Sequence, residues 1–248
     1  METMAFYRGT YYSPSVGMDR EVNVLVPNDV GEDERLKTLY LLHGYYGNHQ
    51  QWIRYTSIER YAAQKRLMVV MPEAQNGFYI NHAYGLAHFD ALMDLMHHVE
   101  RLFPVSKERE DRYVAGLSMG GYGALKWALT NPDLFSKAAS LSGALDLQSV
   151  KESIHEEAPQ LALGMFGETE HIQEEDDLTH LFKHVRSQKK PLPDVHLSCG
   201  TDDYLYEENV IFKAFLEQNN IPFTYVEVPG KHTWDFWDMM IQKVLDWL

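Results

Sequence analysis

Gly116-Leu117-Ser118-Met119-Gly120 is a G-x-S-x-G pattern set between an apolar run, RYVAGLS, and a glycine-rich stretch, GGYGALKWALTN. A serine hydroxyl is a weak nucleophile unless it is presented free of competing hydrogen bonds and beside a base. A sharp strand-to-helix turn gives that presentation, and the residues two before and two after the serine must be small for strand and helix to approach. Both are Gly here. The helix that follows directs its N-terminal N–H groups and positive end at the reacting centre, which suits nucleophilic acyl transfer. The five-residue pattern alone is common, and its flanking elements give it weight. The competing readings are a helix N-cap serine followed by packing glycines, and a phosphate loop, for which the G-K-[ST] ending is missing.

The chain has 12 histidines, so the base has to be found by order. In strand–serine–helix hydrolytic sites the acid and then the histidine follow the nucleophile. His232, in the loop PGKHTW, is the one histidine beyond the last plausible acid. The acid should follow a strand that precedes it, as Gly200-Thr201-Asp202-Asp203 does after VHLSC. Its task is to accept Nδ1–H, fixing the tautomer and stabilising the imidazolium. Asp203, last in a G-x-x-D turn, is preferred; Asp202 and Asp146 stay open as alternatives. His97 and His98 point to different faces of a helix. His180 and His184 stand at i, i+4 without an acid at metalloprotease spacing, so neither a metal nor another cofactor is expected.

Acyl transfer places negative charge on a carbonyl oxygen, which two backbone N–H groups must meet. Met119 should supply one. The other should come from His43-Gly44-Tyr45-Tyr46-Gly47, with Tyr45 preferred and Tyr46 as fallback. Aromatic residues gather around these loops, and Tyr46, Trp52 and Trp234 are the candidates for substrate contact.

These residues need a frame. Apolar runs alternate with amphipathic stretches, the signature of an α/β layer architecture with a mostly parallel sheet and helices on both faces. MAFYRGTYY and EVNVLVP alternate as antiparallel edge strands. TLYLLHG, LMVVMP, RYVAGLS, AASLSGAL, VHLSCG and FTYVEVPG read as further strands. Thr56-x-x-Glu59 predicts a capping box before a helix ending near Arg66, and a second helix is predicted from about Leu86 to Phe103. The segment from about 147 to 193 breaks the rhythm and is expected to be a small cap inserted over the strand ends, within one domain spanning 1–248.

A net charge of −14 disfavours phosphate backbones, so nucleic-acid binding is excluded as an expectation. Nine Asp or Glu and no Lys or Arg lie between Glu152 and Asp177, which reads as a solvated face. No apolar run reaches the roughly 18 residues of a membrane span. METMAFYRGTYYSP has no basic region leading into an apolar one, and Cys199 is the only cysteine. A cytoplasmic location is therefore expected. The partner expected is a small-molecule ester, and the edge strands and acidic insertion offer surfaces for a homo-oligomer.

LLHGYYGN, AGLSMGGYGALKWAL, AASLSGAL, CGTDDYLYEEN and PGKHTWDFW together resemble the putative-esterase (esterase D-like) family, and within it the bacterial tributyrin esterases. The resemblance runs in order along essentially the whole chain. It implies an α/β-hydrolase fold and a carboxylesterase active on short-chain acyl esters. The family includes S-formylglutathione hydrolases, feruloyl and acetylxylan esterases and mycolyltransferases. It places the nucleophile on Ser118, the acid on Asp203, the base on His232 and the oxyanion donors on Tyr45 and Met119. The double tyrosine after His43-Gly44 departs from the small residues found there in the family.

Overall fold

TLYLL, MVVMP and RYVAGL bury every residue, as strands covered by helices on both sides must. The structure, a computed structural model that describes residues 3–248, places them at the centre of an eight-stranded sheet ordered β1-β2-β4-β3-β5-β6-β7-β8. β1 (Met4–Ser13) and β2 (Met18–Pro27) form an antiparallel edge, and β2 also runs antiparallel to β4 (Met68–Pro72). β3 (Thr38–Leu42), β5 (Arg112–Leu117), β6 (Lys137–Leu141), β7 (Asp194–Gly200) and β8 (Phe223–Val228) complete a parallel run with β4.

Alternation along a strand divides the core in two. Leu39 and Leu41 of β3 join the side covered by α1 (Gln51–Tyr55), α2 (Ile58–Gln64) and α9 (Trp234–Trp247). Tyr40 and Leu42 join the side covered by α3 (Asp90–Leu102), α4 (Met119–Thr130), α7 (Leu178–Ser187) and α8 (Tyr206–Gln218). Between β6 and α7 lie α5 (Leu147–Glu157) and α6 (Pro159–Phe166). The two ends of the 147–193 segment behave differently. α5 faces the cleft described below, whereas α7 buries Leu181, Phe182 and Val185 in the main core.

Two helix starts depart from the expectation, and in both a tertiary partner decides. The helix expected from Leu86 begins at Asp90, because Asn81 Oδ1 accepts from the amides of Phe89 and Asp90, both at 3.1 Å. The capping box at Thr56 and Glu59 is not made. Thr56 Oγ1 donates to Trp52 O and accepts from Ile58 N, and Ser57 N donates to Asp238 Oδ1 of α9 at 3.0 Å.

The acidic run is not uniformly solvated either. Asp176 is buried and bonds Lys126 of α4, whose ammonium lies 4.3 Å from the centre of the Phe89 ring. Burial pushes the Lys126 ammonium down, with Asp176 opposing. Tyr122 donates to the Asp176 carbonyl at 2.7 Å, so this acid ties the segment to α4. Asp176→Asn strands a buried cation and is expected to cost about 3–5 kcal/mol in urea unfolding. A loss below about 1 kcal/mol contradicts this account of the pair.

Candidate active site

The carboxyl ends of β3, β5, β6, β7 and β8 open onto one rim, where open α/β sheets place ligands. Ser118 follows β5 directly with φ 52° and ψ −120°, a left-handed backbone unusual for serine. The neighbouring glycines explain how the turn is held. A Cβ on Gly116 would overlap the Gly120 carbonyl, and one on Gly120 would lie 2.6 Å from the His43 and Leu42 carbonyl oxygens. Ser118 N donates to Leu141 O at 2.9 Å, and Gly121 N returns a bond to Ser118 O at 2.9 Å. The backbone is thus fully engaged, while among the described residues the Ser118 hydroxyl makes no hydrogen bond within 3.5 Å.

The loop after β3 lies against the serine: a Cβ on Gly44 would be 3.4 Å from Ser118 Cβ. His43 holds this loop from beneath. Its Nδ1 donates to Gly44 O at 2.8 Å and its Nε2 accepts from Ala74 N at 3.0 Å, which fixes one tautomer. Tyr46 N donates to Asn76 Oδ1 at 2.8 Å. Neither Tyr45 N nor Met119 N donates to any group among the described residues. Met119 N, at the first position of α4, has no partner within the helix.

β7 and β8 deliver the other two side chains. His232 Nδ1 lies 3.0 and 2.9 Å from the two carboxylate oxygens of Asp203. Asp202 N donates to Gly230 O at 2.9 Å and a Cβ on Gly200 would overlap that carbonyl, so the loops carrying acid and histidine are pressed together. Asp203 Oδ1 also accepts from Leu205 N at 2.9 Å. Burial pushes the Asp203 carboxyl up, but the bonds from His232 and Leu205 outweigh it and leave the group below its ordinary value. Asp202 is exposed, and Asp146 caps α5 by accepting from Gln148 N and Ser149 N.

Four neighbours escaped the sequence reading. The Trp237 ring stands edge-on to the His232 ring at 4.8 Å and donates from Nε1 to Ser142 Oγ at 3.2 Å. The Ser142 hydroxyl in turn approaches Asp203. The Tyr204 ring lies 4.5 Å from His232, and its hydroxyl is near enough to Ser118 for that side chain to act on its pKa. Tyr204 thus brackets nucleophile and imidazole. Asn76, on a loop where Gln75, Phe78 and Tyr79 all have positive φ, borders the same space. Tyr204 follows Asp203 directly, which is a usable signal; the others have none in the sequence.

Ser118, Tyr45, Tyr46 and Tyr204 line a cleft of about 1050 Å³, together with Leu145, Val150, Ile154 and Phe215. Trp52 does not reach it. That ring is 1 % exposed and donates to Leu42 O at 3.0 Å. Trp234 packs edge-on to Trp52 at 5.3 Å, outside the cleft lining. Both sit on α1 and α9, the helices that cover the sheet face opposite α5 and α8. One group among the described residues has metal-compatible spacing, Glu21 with His49 and Glu73. Hydrogen bonds already account for it: Glu73 Oε2 accepts from His49 Nδ1 at 2.9 Å, and Oε1 accepts from Gln75 N at 2.6 Å.

Residues 13–248 match the family described as putative esterase. The chain is 29 % identical to a protein named acetyl esterase from Caldicellulosiruptor saccharolyticus, over 99 % of this chain and 98 % of that one. Among solved structures it resembles substrate-bound FphF, a fluorophosphonate-binding serine hydrolase of Staphylococcus aureus. The TM-score is 0.93 at 34 % identity, covering 99 % of this chain and 98 % of the other. It also resembles an S-formylglutathione hydrolase, FrmB, of the same organism, with a TM-score of 0.86 at 35 % identity and 98 % of both chains covered. The architecture is the α/β-hydrolase fold. No helix among the described residues is long and apolar enough to cross a membrane.

Proposed function

The chain belongs to the putative esterase family and is a serine ester hydrolase, and on that premise we propose that Ser118, His232 and Asp203 act as its triad on short-chain acyl esters. His232 takes the Ser118 proton as Oγ attacks the ester carbonyl, and the oxyanion rests on the amides of Tyr45 and Met119. The alcohol departs, and water activated by His232 releases the acid from the acyl-enzyme. One observation carries the reading: the Asp203–His232 pair at 2.9 Å meets, through Tyr204, a serine held in a strained turn. A serine–imidazole bond that is absent without substrate commonly forms only in the reacting complex. The short acyl chain is supported by the bulky Tyr45–Phe78 pair, rings 5.4 Å apart, which borders the cleft with Ser118. The relative named acetyl esterase agrees with it.

The test is a series of p-nitrophenyl esters from acetate to octanoate, with methyl ferulate and acetylated xylose beside them. kcat/KM is expected to be highest at acetate or butyrate and at least about tenfold lower at octanoate. A maximum at octanoate overturns the short-chain assignment. A thioesterase reading is favoured by the likeness to the S-formylglutathione hydrolase; the charge of the cleft argues against it.

A further inference from the structure

The cleft wall carries four carboxyl groups, Asp146, Glu157, Glu207 and Glu208, and among the described lining residues no Lys, Arg or His. Of the lysines around it, Lys151 on α5 is bound to the carbonyls of Thr169 and Glu170, and Lys183 on α7 lies 5.5 Å from the centre of the Phe215 ring. Asp146 is partly offset by the amides it caps at the start of α5. Glu208, which accepts from Asp146 N at 2.7 Å, is pushed up to about 7 by burial, so the remaining charge rests chiefly on Glu157 and Glu207. Carboxylates in a walled cleft focus the field of a chain already at −14. The aromatic rim adds a second, independent preference. Tyr46 and Tyr204 are 81 % and 75 % exposed at the cleft, and exposed rings attract cations through their negative faces.

We infer that this cleft selects esters bearing a positive charge, ammonium groups above all, and rejects anionic ones such as glutathione thioesters. The inference rests on the esterase reading above and goes beyond it in naming the charge of the substrate. The chemistry at Ser118 is unchanged by it; what changes is the population of bound ester.

Three butyrate esters with similar alcohol parts test it: butyrylcholine (cationic), 3,3-dimethylbutyl butyrate (neutral) and 3-sulfopropyl butyrate (anionic). In about 20 mM salt, kcat/KM is expected to fall by about tenfold at each step from cation to neutral to anion. Raising salt to about 500 mM should compress both ratios several-fold. The double variant Glu157→Gln/Glu207→Gln should shrink the cation-to-neutral ratio several-fold, the remainder resting on the Tyr46 and Tyr204 rings. Each ratio is internal to one protein preparation, so partial misfolding of a variant does not disturb it. Equal rates for the three esters, or ratios unmoved by both salt and the double substitution, overturn the inference. No turnover of any of them, nor of p-nitrophenyl butyrate, overturns the underlying esterase reading and the charge selection with it.

Discussion

Ser118→Ala is expected to lower kcat/KM for p-nitrophenyl butyrate by at least about 10⁴-fold and to abolish labelling by a fluorophosphonate probe. The size follows from what is removed. In the proposed mechanism, losing Oγ removes the acyl-enzyme and leaves His232 and the oxyanion amides only to assist direct attack by water. The fold should be indifferent to the change, because the Ser118 hydroxyl makes no hydrogen bond among the described residues while its backbone bonds to Leu141 and Gly121 survive. The strained φ of 52° is imposed by the close approach of Gly116 and Gly120, and alanine inherits it as serine does. Stability in urea is therefore expected to stay within about 0.5–1 kcal/mol of the parent. Turnover retained within tenfold in a folded Ser118→Ala protein ends the assignment of the nucleophile.

What could be read in the sequence follows from how local the constraint is. The turn at Ser118 needs small residues at fixed offsets, so glycines at 116 and 120 write it into five positions. Near-continuous apolar strands such as TLYLL announce a sheet buried on both faces. The G-x-x-D turn prefers Asp203 but leaves Asp202 open, and the approach of the β7 and β8 loops is what separates them. The same limit hid Ser142 and Trp237, which meet the dyad from β6 and α9, 95 residues apart in the chain. It also bears on Trp52 and Trp234. An aromatic residue close in sequence to a site loop lies in the cleft or behind it according to which sheet face its helix covers, and sequence distance carries no sign of that. The buried Lys126–Asp176 pair was concealed for a related reason, since an acid within an acidic run looks solvated until its partner from another helix is known.

Asp203→Asn tests the acid that geometry sets apart from its neighbour Asp202. Asp203 is acceptor-only when ionised; its side chain is fully buried, and it takes the Leu205 amide on Oδ1 and His232 Nδ1 across both oxygens. Asparagine keeps one acceptor and replaces the other oxygen with an NH₂ donor. If the Leu205 N–H retains the acceptor, the new donor faces Nδ1, and the imidazole must turn its lone pair towards it. The proton then sits on Nε2, the nitrogen that has to receive the Ser118 proton. The base is therefore present but in the wrong tautomer, and the expected loss in kcat is about 10⁴-fold, the scale seen for that substitution in serine proteases. Asp202→Asn is the matched control. Its side chain is exposed and its contribution to the site is a backbone bond to Gly230, which the substitution leaves in place. It should stay within about threefold of the parent. Because serine and acid act as a unit, Ser118→Ala/Asp203→Asn should be no slower than Ser118→Ala alone. Equal losses in the two aspartate variants, or an Asp203→Asn enzyme within tenfold of the parent, would mean that the pair seen at 2.9 Å holds a loop in place and does not set the base.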